Sequence, residues 1–165
     1  MFKGAIIAII LALGTMYSAE ATVPPTTYLG NGTPAYYDFN TNFPEVYYRM
    51  STAMYLDKTS AVILKEKGPY VFIAVNTFVV SAADTSHPKI FKNNTHTFVF
   101  DRELGDLYSI EKSRDKPIEV RYVDPTGPEY QVRGAMEPAE AVYYIMTGKK
   151  FFGEKYFTQG FYDRL

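Results

Sequence analysis

Apolar positions recur along this chain at two different periods, and the change of period marks its elements. Residues 61–65 and 70–82 carry the densest apolar tract, rich in Val, Ile, Phe and Thr and interrupted only around Glu66-Lys67-Gly68-Pro69. Runs of this composition bounded by turn residues predict strands. Gly68 permits a backbone conformation that other residues resist, and Pro69 fixes φ, so the interruption reads as a tight corner between two strands. Residues 97–101 and 118–123 predict two more strands, and the aromatic stretch 35–40 a shorter one. Asn93-Asn94-Thr95 and Asp124-Pro125-Thr126-Gly127-Pro128 read as turns, and residues 22–34 as a loop.

Two segments have helical spacing instead. Val46, Tyr47, Met50, Ala53 and Met54 predict an amphipathic helix over 44–55, with Asn42 as N-cap, Pro44 in the first turn and Glu45 favourable to the dipole. Ala139, Val142, Tyr143 and Met146 predict a second, opened by Glu137-Pro138 and stopped by Gly148. Both stripes are read as core packing. The mixed-charge run 101–121 is read as a solvated loop. Phe151, Phe152, Tyr156, Phe157, Phe161 and Tyr162 crowd the last segment and require something to cover them. The expected class is β-rich α+β: an antiparallel sheet, either a partial or a re-closed barrel, with two short amphipathic helices.

Length and composition narrow this picture. A chain of 165 residues supports one domain, and 47% apolar residues supply a core. The net charge of −1, with no basic block longer than Lys149-Lys150, gives a nucleic-acid partner no electrostatic basis. Residues 1–21 combine Lys3, a short apolar run and an Ala-x-Ala site at Ala19-Glu20-Ala21, the pattern of a cleaved signal peptide; retention as a short N-terminal anchor is the alternative. That leaves 22–165 as one extracellular domain. Cysteine is absent, so stability must come from the core rather than from disulfides.

Candidate chemistry is sparse. The chain has no Gly-x-Ser-x-Gly elbow and no phosphate-binding glycine loop. His87 and His96 lie near predicted turns with no ligand at metal spacing, and are read as surface histidines. Glu137 and Glu140 share a helix face but carry no pocket signature. Asp101, Glu103 and Asp106 do not follow calcium-loop spacing. No catalytic, metal or cofactor-binding residue is therefore assigned. Asn31-Gly32-Thr33 and Asn93-Asn94-Thr95 are glycosylation sequons, making Asn31 and Asn93 the candidate modified residues.

Taken in order, Tyr37-Asp38-Phe39-Asn40-Thr41-Asn42-Phe43-Pro44-Glu45, then Glu66-Lys67-Gly68-Pro69-Tyr70-Val71-Phe72, then Asn93-Asn94-Thr95 and Phe98-Val99-Phe100-Asp101-Arg102-Glu103 form a recognisable succession. It resembles the N-terminal part of the ectodomain of class B scavenger receptors, the family of fatty-acid and lipoprotein receptors and lysosomal integral membrane proteins. The resemblance covers residues 35–103. It implies an irregular antiparallel barrel enclosing a hydrophobic tunnel, and a non-catalytic partnership with lipid, lipoprotein or protein ligands at the cell surface, in endolysosomal membranes or in secreted form. Gly68, Pro69, Tyr70, Val71 and Phe72 match a structural corner of that barrel rather than a ligand site. The family's second membrane span and its later, cysteine-bearing region have no counterpart in this sequence. Three outcomes follow: a truncated product, a re-closed smaller domain, or assembly with a partner through open strand edges. The alternative function is a secreted carbohydrate- or protein-interaction module using exposed tyrosines.

Overall fold

The corner at Gly68-Pro69 is the turn of a long hairpin. Gly68 has φ +59° and the Pro69 ring holds a negative φ, the sign pattern of a II′ turn, which suits the twist of paired strands. It joins β2 (Thr52–Lys67) to β3 (Tyr70–Ser81), in register from Lys67↔Tyr70 to Thr52↔Ser81. The structure is a computed structural model that describes residues 22–111 and 118–165. β1 (Glu45–Arg49), β4 (Lys89–Asp101), β5 (Asp106–Glu111) and β6 (Glu119–Tyr122) complete a six-stranded antiparallel sheet. Its strands neighbour one another in chain order, and the sheet curls into a half-barrel. Bulges in β2 between Asp57 and Val62 and between Ile63 and Lys65 contribute to that curl.

One face of the sheet holds the main core. Val71, Ile73, Val75, Phe98, Phe100 and Leu107 pack against Val132, Met136, Ala139, Val142 and Tyr143 of α1 (Glu129–Thr147). The terminal aromatic segment, with α2 (Gln159–Tyr162), closes over the same cluster. Phe100 sits 4.7 Å from the Tyr143 ring and 5.0 Å from that of Phe151, centroid to centroid. The crowded terminal rings thus cover, and are covered by, the core they adjoin.

The opposite face of β2 and β3 carries a smaller cluster: Ala53, Tyr55, Val80 and Ala83, overlaid by Tyr37, Tyr48 and Phe78. Alternation along a strand separates the two sets, sending Tyr55 one way and Leu56 the other. The segment before β1 is closed on itself by the bridges Tyr28↔Pro34 and Tyr36↔Pro44 and packs on this second face through Tyr37. The Tyr55 hydroxyl donates to the Pro34 carbonyl at 3.1 Å.

Several sequence expectations are corrected. Residues 44–55 form no helix; they are β1, a turn at Met50-Ser51 and the start of β2. Met50 and Ser51 have φ +50° and +58°, the I′ sign pattern, and Met50 is 83% exposed at the tip instead of lying on a buried stripe. Pairing of Ala53, Met54 and Tyr55 with β3 overrides the helical spacing. The strand expected at 35–40 is a 3₁₀ turn over Tyr37–Phe39, with Asp38 and Phe39 both left-handed.

Asn93-Asn94-Thr95 lies inside β4 opposite Phe78, Thr77 and Asn76, not in a turn. The run read as a loop contains β5, and Asp101 is buried, accepting the N–H groups of Glu103 and Leu104 at 2.9 and 3.1 Å. α1 begins at Glu129 rather than Glu137, with Pro138 inside it. Gly148 does end it, left-handed at φ 67°, its N–H donating to the Tyr144 carbonyl at 2.8 Å. The expected signal segment, residues 1–21, and the charges at Lys112, Arg114, Asp115 and Lys116 lie outside the described residues.

Candidate functional site

The inward face of β4 changes character along its length. Phe98 and Phe100 belong to the core, whereas His96, Asn94 and Lys92, on the same face by alternation, line a groove. Register sets Ser109 of β5 beside Phe98 and opposite Arg121 of β6. Across the gap stand Val132, Gly134 and Ala135 from the first turns of α1, with Met54 of β2 between. The resulting groove has a volume of about 1200 Å³ and a wall of mixed polar and apolar surface. Pro138 has no N–H to give the carbonyl of Gly134, a residue that lines this groove.

The charges of the groove are unevenly paired. Arg121 approaches Glu111 at 3.3 Å and Glu119 at 3.2 Å, both exposed pairs that contribute little to stability. Lys92 forms no ion pair among the described residues. His96 is half-buried, stacked on Phe98 with centroids 5.5 Å apart, and its Nε2 lies 2.9 Å from the Thr77 hydroxyl. Burial, helped by nearby Lys92, lowers its pKa to about 4, so the ring is neutral at physiological pH. The surface-histidine reading therefore fails for His96. His87 is exposed in the β3–β4 loop, its Nδ1 2.8 Å from the Ser86 hydroxyl.

Glu137 and Glu140 do not act as a facing pair. Glu137 meets Arg133 at 3.4 Å. Glu140 is fully buried and accepts the N–H groups of Phe151, Phe152 and Gly153 at 3.1, 2.8 and 3.4 Å and the Tyr162 hydroxyl at 2.7 Å. Burial, then the bond to Glu140, raises the Tyr162 pKa above the ordinary tyrosine value. This carboxylate clamps the terminal segment onto α1, and its donors satisfy it. Sequence inspection noticed both residues, but nothing local to them announces the donors that arrive from 151–162.

The two sequons differ in access. The Asn31 amide lies 3.4 Å from each oxygen of buried Glu45, while its own oxygen accepts the Thr33 N–H at 3.0 Å and hydroxyl at 2.6 Å. The Thr33 hydroxyl also reaches Glu45, whose pKa is raised chiefly by burial. Both sequon side chains at 31–33 are thus engaged inside the fold. Asn93 is exposed on β4. Gly68-Pro69-Tyr70-Val71-Phe72 forms the β2–β3 turn and the start of β3, with Val71 in the core and Tyr70 exposed.

A second cavity, of about 460 Å³, lies on the other face of the sheet beneath the segment preceding β1. Among the described residues, no group of three or more His, Cys, Asp or Glu side chains is placed to hold a metal ion. No helix among them is long and apolar enough to cross a membrane. No protein-family model, curated protein or solved structure matches this chain.

Proposed function

We propose that this chain is a non-catalytic binding protein of the secretory pathway, of the class B scavenger receptor type, which takes up an amphiphilic lipid in the groove between β4–β6 and α1. The observation that carries this reading is the groove itself. Met54, Val132 and Ala135 offer apolar lining, and Lys92, without an ion pair among the described residues, offers a cation in the same groove. An alkyl chain with an anionic head would use both kinds of lining. The volume of about 1200 Å³ exceeds what a single polar metabolite needs. The ordered motifs of residues 35–103 support the kinship, and the pattern of residues 1–21 supports secretion or cell-surface delivery. Asn93, exposed in its sequon, is the position proposed to carry a glycan. Lipoprotein or protein partners would meet the sheet edge at β6, where Ile118, Val120 and Tyr122 are exposed.

The test is titration of a fluorescent fatty acid into the protein recovered from expression of the full chain. Saturable uptake is expected, weakened by Lys92→Ala and abolished by Ala135→Trp, which fills the groove. Absence of saturable uptake by a monodisperse sample would overturn the proposal.

A further inference from the structure

The cavity on the opposite face has a different chemistry. Four rings line it: Tyr28, Tyr37, Phe39 and Tyr55. They stand at steep angles to one another, Tyr28 to Phe39 at 71° and Tyr37 to Tyr55 at 63°, with centroids 5.9 and 5.5 Å apart. Tyr28 and Phe39 are 61% and 43% exposed, whereas Tyr55 is buried and stacked on Phe78 with centroids 5.7 Å apart, so the first two supply the accessible ring surface. Two carboxylates, Asp38 and Asp84, share the lining, which contains no Lys, Arg or His. Neither carboxylate has an ion-pair partner among the described residues. Asp84 is held in place on one oxygen, Oδ2 accepting the Tyr48 and Ser51 hydroxyls at 3.0 and 3.1 Å. Asp38 lies between the Tyr37 and Phe39 rings in chain order, in a left-handed conformation with φ +51°.

We infer that this cavity is a binding site for an alkylammonium cation. Ring faces carry negative quadrupole charge and attract a cation within about 6 Å, most strongly where the cation is weakly hydrated. The two unpaired carboxylates add a net negative field without competing cations in the lining. The volume of about 460 Å³ accommodates a quaternary ammonium group and its substituents, within the roughly 300–1,000 Å³ typical of small-ligand sites. A neutral sugar would gain from the rings but would draw nothing from the excess charge. This site lies across the sheet from the lipid groove, so either can fail without the other.

The experiment titrates tetramethylammonium, choline and n-butylammonium into the intact secreted protein. Intrinsic tyrosine fluorescence reads the binding, since the chain has 15 Tyr and no Trp. The uncharged isostere 3,3-dimethylbutanol is the control. Saturable tetramethylammonium binding is expected, at least about tenfold tighter than the isostere and weakened by added salt. Asp38→Asn is expected to lower affinity several-fold while leaving the fold intact, because Asn also tolerates the left-handed conformation. Phe39→Leu removes one ring and is expected to lower it further. Choline binding tighter than n-butylammonium points to a lipid-type headgroup, and the reverse order to a lysine side chain; both support the shared chemistry. Equal affinity for the uncharged isostere, or an Asp38→Asn affinity that matches the parent, overturns the inference. So does saturable binding of a neutral oligosaccharide with no response to any of the three cations.

Discussion

Along β4, Phe98 and Phe100 lie sealed beneath α1 and the terminal rings, while Lys92, Asn94 and His96 on the same inward face open on a groove. One strand thus serves two halves of the molecule that differ in everything but backbone. In the sealed half, apolar burial and the Glu140 clamp fix the terminal segment against the sheet. In the open half, short β6 pairs with β5 at the sheet edge, and its exposed residues include Val120 and Tyr122. Stability is concentrated where the helix crosses the sheet, leaving the other half free to present side chains to a ligand.

The sharpest way to break this contrast is truncation on β4. Phe100→Ala is expected to cost about 3–5 kcal/mol in denaturant unfolding, the range for a buried phenylalanine. Asn94→Ala, on the groove side, is expected to stay within about 0.5 kcal/mol. Comparable losses at both positions would mean that the two halves form one packed unit.

The clamp gives the next largest effect. Glu140→Ala leaves three N–H groups and a hydroxyl without their acceptor, at an expected cost of about 3 kcal/mol. Loss of protection at the Phe151 and Phe152 amides, measured by hydrogen exchange, is the specific sign. Glu111→Ala on the open half is expected to leave exchange at those amides unchanged.

The smallest effect is read by pH. His96 has a folded pKa of about 4, below its ordinary value. The unfolded chain therefore binds more protons than the folded one between about pH 6.5 and pH 4. This group contributes stability that is full above pH 6.5 and lost as pH falls through that window. His96→Gln is expected to flatten the decline in Tm between pH 7 and pH 4.5. An unchanged slope would show the ring to be hydrated and the groove wetter than its packing implies.

Much of the sheet was legible in the sequence, because residues 70–82 are too β-branched and aromatic to be anything but a strand, and Gly68-Pro69 has few uses besides a turn. The hairpin at 44–55 was not. Its tip uses Met50 and Ser51 with positive φ where Asn-Gly is usual, and its apolar residues also satisfy a helical period. The start of α1 was misplaced because Pro138 suits a first turn, whereas the structure carries it inside the helix. The groove could not be found by local inspection. Lys92, Ser109 and Arg121 sit on three strands, and only the folded sheet brings them to one surface. A period-two polar run ahead of Phe98 and Phe100 was the available signal.

The chain-order arrangement of the strands has a consequence during synthesis. Each strand can dock on its predecessor as it leaves the ribosome, so the sheet can assemble from the first hairpin outward. The helix that covers it, α1, is translated after all six strands. Until then Val71, Ile73, Val75, Phe98 and Phe100 face water on a nascent, uncapped sheet. That interval is when a chaperone would be needed, and when neighbouring chains on one polysome would be most prone to stick together.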